Sequence, residues 1–192
     1  GYGPNIAAMD ALIAQGATLI VTLDCGTSSL EPIAHARAKG ADVLVIDHHR
    51  PAGPLPSANA LVNPNRADDI SGLGHLCAAG VTFMVLVAVN RLLREQGQGR
   101  LPDLMGLVDL VALATVCDVV PLTGLNRAFV VRGIDVMRQG KNPGLASLAL
   151  AARLTGPVAP YHLGYLLGPR INAGGRIGDA ALGVRLLSTE DE

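Results

Sequence analysis

Two hydrophobic rhythms divide the chain, and the change falls near residue 75. Before it, short continuous apolar runs alternate with amphipathic stretches. Ala17-Thr18-Leu19-Ile20-Val21-Thr22-Leu23 and Ala41-Asp42-Val43-Leu44-Val45-Ile46 are β-branched runs of strand length, as expected for buried parallel strands. Between them Ser28 and Glu31 have the spacing of a capping box, which predicts a helix over 30–39 closed by Gly40. A further helix over 5–15, ended by Gly16, precedes the first run. Strand, helix and strand in this order make one βαβ unit, whose crossover is expected to be right-handed. A Pro-rich loop (Pro51, Pro54, Pro56) then leads to a short strand over 59–62 and a turn at Asn63-Pro64-Asn65.

From His75 onward the apolar period is helical. It predicts helices over 76–95, 102–116, 125–139, 144–154 and 178–187. Gly, Pro and Asn cluster in Gly168-Pro169-Arg170-Ile171-Asn172-Ala173-Gly174-Gly175-Arg176, which reads as a loop. The fold class that follows is α/β, a parallel-sheet lobe with an α-helical C-terminal portion. The organisation expected is a sheet-bearing core over residues 1–125 and a helical extension of the same lobe over 126–192.

Composition narrows the class. Of 192 residues, 49% are hydrophobic and 16% charged, which excludes a disordered chain. With no Trp, two Phe and three Tyr, the core has to be built from Ala, Leu, Val and Ile. The longest apolar stretch, 81–89, is far short of a membrane span, and the start has no signal-peptide pattern. Three widely spaced cysteines, Cys25, Cys77 and Cys117, fit neither a disulfide framework nor a structural zinc site. A reducing cytoplasm suits them. A net charge of −1 argues against a protein that coats nucleic acid. Thirteen of the fifteen basic residues are nevertheless Arg, the better bidentate phosphate ligand, so a focused phosphate site needs no basic surface. The chain begins at Gly1 without Met and ends on Thr189-Glu190-Asp191-Glu192, which reads as a piece of something longer.

The candidate chemistry lies where the strand runs stop. In an open parallel sheet, ligands bind beyond the carboxyl ends of the strands. The first run stops at Asp24 and the second at Asp47-His48-His49. Carboxylate and imidazole side by side are a ligand set for Mn²⁺, Zn²⁺ or Fe²⁺ and, with added waters, Mg²⁺. Asp24-Cys25-Gly26-Thr27-Ser28 lacks the Gly-x-Gly-x-x-Gly turn of a dinucleotide-binding module, which excludes that class.

Asp47-His48-His49 after a hydrophobic strand resembles the signature of the DHH phosphoesterase superfamily. The segment Leu19-Ile20-Val21-Thr22-Leu23-Asp24-Cys25-Gly26 is similar to its preceding motif. The run Val108-Asp109-Leu110-Val111-Ala112-Leu113-Ala114-Thr115-Val116-Cys117-Asp118-Val119-Val120-Pro121-Leu122, followed by Asn126-Arg127, resembles the fourth motif in its RecJ form. The segment from Gly168 to Arg176 is similar to a Gly-Pro-Arg-x-Asn-Ala-x-Gly-Arg motif of the RecJ branch. Four ordered matches span nearly the whole chain.

The resemblance implies a metal-dependent phosphodiesterase that digests single-stranded DNA from 5′ to 3′, in repair and recombination, with no membrane partner. It implies two divalent cations, Mn²⁺ preferred and Mg²⁺ usable. Asp24 becomes a bridging metal ligand, with His48 and Asp118 as ligands of one of the two metals. His49 becomes the contact to the scissile phosphate or a general acid, and Asp47 orients the histidines. Arg170, Asn172 and Arg176 become phosphate contacts. Cys117 and Gly174 stand where the family more often has Ala. The family's first motif, an Asp-x-Asp pair, is expected upstream of Gly1 and its second lobe downstream of Glu192, so this chain alone is expected to be inactive. Two alternatives carry the same motif: another phosphodiesterase of the superfamily, acting on oligoribonucleotides or cyclic dinucleotides, and a non-catalytic replication scaffold. Asn126-Arg127 and the segment from Asn172 to Arg176 favour RecJ over the first. The retained metal ligands oppose the second.

Overall fold

The computed structural model describes residues 3–177, 179 and 181–191. The chain divides into two compact units, Gly1–Leu86 and Val87–Glu192.

The first unit is the βαβ arrangement with one helix before it and one strand after it. Asn5 opens α1 (Ile6–Ala14) by accepting the Ala8 N–H at 2.9 Å, one of the donors a helix leaves unpaired. Then follow β1 (Leu19–Leu23), α2 (Leu30–Ala38), β2 (Asp42–Ile46) and β3 (Ala60–Val62). All pairs are parallel and the order is β1-β2-β3, with Leu23 opposite Ile46 and Ile46 opposite Val62. Met9 and Ile33 of the two helices pack with Ile20, Val43 and Val45 of one sheet face. Ile33, Val43 and Val45 are wholly buried, each contributing roughly 1.5–3 kcal/mol.

Two expectations are corrected in this unit. β1 is not covered on both faces: Ile20 and Thr22 are buried, but Leu19, Val21 and Leu23 are exposed. β1 is also the edge of the described sheet. The capping box also fails. The N-cap of α2 is Ser29 and not Ser28, with no side-chain bond, which puts Pro32 rather than Glu31 at the third helical position.

The helix α3 (Ala78–Glu95) contains the boundary between the units. The second unit holds a 3₁₀ turn (Leu104–Leu107), α4 (Val108–Cys117), α5 (Gly124–Met137) and α6 (Pro143–Ala151). A continuous helical run follows: α7 (Pro160–His162), a π-turn (Leu163–Leu167) and α8 (Gly168–Ile177), then α9 (Leu182–Ser188). Gly133 lets α5 lie close on α4, for a Cβ there would collide with Ala112 and the Val108 carbonyl. The core is Ala112, Leu113, Val130, Ile134, Leu145, Leu148, Ala152, Leu163 and Leu167.

The segment Gly168–Arg176, expected as a loop, is helix. Leu163 and Leu167 are drawn wholly into the core and carry the chain into α8. Pro169 lies inside this continuous run, just after the π-turn, and having no N–H it cannot close a bond back to that turn. Gly168 fits against the Cys117 sulfur, so packing overrides the poor helix propensity of the glycines. The last expected helix begins at residue 178, outside the described residues, and is found as Leu182–Ser188. No described helix is long and apolar enough to cross a membrane.

Candidate metal centre

The parallel register places three strand ends at one edge of the sheet. Asp24 follows β1, Asp47 follows β2 and Asn63 follows β3. Backbone bonds continue the ladder one step past the strands, from Asp24 N–H to the Ile46 carbonyl and from Asp47 N–H to the Val62 carbonyl, both 3.0 Å. The edge is therefore fixed up to the residues that carry the chemistry.

Asp24 then leaves the sheet in the left-handed region, with φ of 63°. An Asp tolerates this better than most residues, yet such backbone is uncommon and clusters at functional sites. Gly26 continues the turn at φ of 115°, and a Cβ there would meet the Thr22 hydroxyl at 2.5 Å and Val45 at 3.1 Å. Only glycine fits that point.

Asp47 is buried, 2% exposed, and its carboxylate is the hub of the loop. One oxygen accepts the His48 N–H at 2.7 Å, the His49 N–H at 3.1 Å and the His49 ring Nδ1–H at 2.7 Å. The other accepts the Thr27 N–H at 3.0 Å. Burial pushes this carboxyl up, but the donors from His49 and Thr27 outweigh burial and hold it down at about 2. Asp47 is thus an anion that orients, and it gives no proton.

The two histidines are set by their partners. Nδ1 of His48 lies 3.1 Å from the Leu76 carbonyl, which can only accept, so Nδ1 carries the hydrogen and, in the neutral ring, Nε2 keeps the lone pair. Nε2 lies 3.2 Å from Oδ1 of Asp24. Asp24, His48 and His49 each offer a ligand atom, and these atoms all lie within 4.8 Å of one another. Two donors on one ion at about 2.1 Å and at right angles would stand about 3 Å apart, so the Asp24–His48 separation fits a shared divalent cation. Ring nitrogens whose other nitrogen is held by a carboxylate or carbonyl are the usual dress of metal-binding histidines. Burial pushes the neighbouring Cys25 thiol up, as do the carboxylates of Asp47 and Asp24.

One layer was missed in the sequence. Asn63, buried at the end of β3, donates from Nδ2 to the Thr27 hydroxyl at 2.9 Å and to the His49 carbonyl at 2.8 Å. Its Oδ1 accepts the Asn65 N–H at 2.8 Å. Asn65 donates in turn to the His48 carbonyl at 2.6 Å and the Gly74 carbonyl at 3.0 Å. Asn63-Pro64-Asn65 is therefore a clamp on the histidine loop as well as a turn. The signal was available: Asn63 ends the third strand at the same edge as Asp24 and Asp47.

The remaining candidates lie in the second unit. Asp118 is the exposed C-cap of α4 and is followed by Val119 at φ of 57°. A carboxylate at a helix C-terminus and a β-branched residue in the left-handed region are both unfavourable. Arg170, Asn172 and Arg176 are exposed on α8. Helical geometry puts Asn172 and Arg176 one turn apart on one face and Arg170 about 160° round from Asn172. Arg170 donates to the Leu166 carbonyl at 2.8 Å. The structure thus brings together Asp24, Asp47, His48 and His49 in one unit, and it separates Arg170 from the other two phosphate candidates around α8.

A carboxylate and two adjacent imidazoles at the carboxyl edge of a parallel sheet, with a buried aspartate bonded to both histidines, are a donor set suited to a divalent cation. The chain belongs to the DHH family: the model of that family's N-terminal domain matches residues 3–115. It is 44% identical over 194 residues to the single-stranded-DNA-specific exonuclease RecJ of Escherichia coli (strain K12), a match covering 97% of this chain and 34% of that protein. It is similar to a crystal structure of exonuclease RecJ bound to manganese, at 33% identity and a TM-score of 0.83, over 100% of this chain and 46% of that one. A structure of RecJ in complex with Mn²⁺ from Thermus thermophilus matches at 33% identity and a TM-score of 0.79, over 95% of this chain and 27% of that one. The chain therefore spans about a quarter to a third of the length of the curated relatives it matches.

Proposed function

We propose that this chain is the metal-binding lobe of a RecJ-type exonuclease that hydrolyses phosphodiester bonds in single-stranded DNA. The observation that carries the proposal is the convergence of Asp24, His48 and His49 within 4.8 Å. The names of the relatives, a single-stranded-DNA-specific exonuclease and manganese-bound RecJ proteins, support it.

Asp24 and His48 are assigned as ligands of divalent cations, Mn²⁺ preferred and Mg²⁺ usable, and Asp118 is proposed to join them. Such cations, when bound, supply an activated water and neutralise charge on the phosphate. His49, held at Nδ1 by Asp47, directs its other ring nitrogen away from that partner and contacts the scissile phosphate or returns a proton to the leaving oxygen. Asp47 orients the His49 imidazole directly and His48 through its backbone N–H. Arg170, Asn172 and Arg176 hold the DNA backbone as preorganised donors. Action from 5′ to 3′, a part in DNA repair and recombination, and a cytoplasmic location belong to this proposal. So does the functional division into a core over 1–125 and an extension over 126–192.

The test is hydrolysis of single-stranded and duplex DNA labelled at either end, by the full-length protein, with Mn²⁺, Mg²⁺ or excess EDTA. Loss of label from the 5′ end of single strands only, in Mn²⁺ and not in EDTA, is the expected result. Cleavage that persists in EDTA removes the metal assignment. Unchanged turnover in Asp118→Ala removes that ligand alone.

A further inference from the structure

Aromatic side chains are rare in this chain, and their placement is uneven. Both phenylalanines, Phe83 and Phe129, are buried. The two tyrosines among the described residues, Tyr161 and Tyr165, are 62% and 70% exposed. They are not scattered: their rings stack on one another, centroids 5.0 Å apart and planes inclined by 22°. The edge of His162 meets Tyr161 at 5.9 Å, and the His162 ring is pinned by accepting the Ala159 N–H at 3.0 Å. A stacked pair left open to water gains little for folding, since its apolar faces are not removed from solvent.

The backbone beneath the pair is also unusual. Tyr165 lies in the π-turn Leu163–Leu167, and single π-turns within helices occur frequently at functional sites. The turn is anchored from below by the wholly buried Leu163 and Leu167, so the tyrosines stand on a fixed base. Arg170 folds back to the Leu166 carbonyl at 2.8 Å, which brings its guanidinium over the turn that carries Tyr165.

Charge singles out the same stretch. Residues 136–178 contain no Asp or Glu, but five Arg or Lys. The chain as a whole has a net charge of −1, so this acid-free segment is a local departure from the average. Open aromatic rings on a segment of net positive charge suit single strands, whose bases stack on rings while positive charge tracks the backbone.

We propose that Tyr161 and Tyr165 form a base-stacking platform for single-stranded DNA. The assignment rests on the single-strand reading given above and adds to it the place where nucleobases, rather than phosphates, are held.

The experiment is binding of a fluorescent oligo-dT to the full-length protein in EDTA, which removes cleavage, alongside a strand of equal length with abasic spacers. Tyr161→Ala and Tyr165→Ala each weaken oligo-dT binding about tenfold. On the abasic strand the same variants stay within about twofold of the wild type. Tyr161→Phe and Tyr165→Phe bind oligo-dT like the wild type, because the ring and not the hydroxyl acts. Undiminished oligo-dT binding in both alanine variants overturns the platform while leaving the exonuclease reading intact. Equal losses on both strands overturn it too, since that is the signature of a structural or phosphate role. A wild type that binds neither strand overturns the single-strand reading itself, and the platform with it.

Discussion

Oδ1 of Asp24 and Nε2 of His48 lie 3.2 Å apart although they end different strands. The pairing follows from the register, in which Leu23 faces Ile46 and the next residues of both strands pass the sheet edge together. It also requires the Nδ1–H of His48 to be held by the Leu76 carbonyl, which leaves Nε2 for the metal. His48→Ala is therefore expected to lower Mn²⁺ affinity by at least about a hundredfold, more than the loss typical of a residue that only supports a ligand. Calorimetric titration checks this. Far-UV circular dichroism is expected to be unchanged, because the residue sits at an element end and its removal opens no large core cavity. An unchanged affinity would place the ion elsewhere.

Asn63 holds the histidine loop from behind. Asn63→Ala strips a partner from the buried Thr27 hydroxyl and from the His49 carbonyl. The expected cost is about 1–3 kcal/mol, read as a lower urea midpoint with an unchanged slope. Mn²⁺ affinity should fall as well, by roughly tenfold to a hundredfold. A stability loss with intact affinity would make Asn63 a fold residue and nothing more.

Asp109 is a buried carboxyl in the first turn of α4. Burial pushes it up from its ordinary value, while the Leu110 N–H and its own N–H pull the other way without cancelling burial. A carboxyl raised in the folded state favours folding below its unfolded value near 4, and that contribution is lost as pH rises through the folded value. Asp109→Asn keeps the shape and an acceptor for Leu110 but cannot ionise. Its stability relative to the wild type is therefore expected to improve as pH rises from about 4 to 7. Urea midpoints at three pH values test this, and parallel curves for the two proteins would contradict it.

The sheet lobe was legible because its signals are local. β-branched runs of five to seven residues stop at Asp24 and at Asp47, and the strand-end rule puts those residues at one edge. Asn63 was not legible: a polar residue in Asn-Pro-Asn has a sufficient explanation as a turn, and its hydrogen bonds to Thr27 and His49 join residues far apart in the chain. Gly168–Arg176 failed for a related reason. Its glycines and proline argue for a loop by propensity, but Leu163, Leu167 and the Gly168–Cys117 contact decide by packing. Asp118 was legible as an oddity, a carboxylate at a helix end. The structure adds a second oddity beside it, Val119 in the left-handed region and 87% exposed, with no packing to explain it.

The last prediction concerns how many ions this chain holds. Among the described residues one group of three donor side chains converges, Asp24, His48 and His49, of which Asp24 and His48 are assigned to the metal, and it brings a single negative charge because an imidazole is neutral when it binds metal. Asp47 cannot add itself as a ligand without giving up the donors of Thr27, His48 and His49, which hold it in place. Two divalent cations a few ångströms apart repel strongly, and nearby carboxylates must offset that repulsion. Even with Asp118 added, the ligands proposed here carry two negative charges against four positive ones. The 192-residue chain is therefore expected to bind one Mn²⁺ tightly and any second at least about a hundredfold more weakly, with negligible cleavage of single-stranded DNA. Calorimetry gives the stoichiometry, and a nuclease assay on the same sample gives the activity. Asp24→Asn should abolish the tight site, since it removes the charge that selects a dication over water. Two tight sites with chelator-sensitive cleavage would show that further carboxylates of this chain complete the centre.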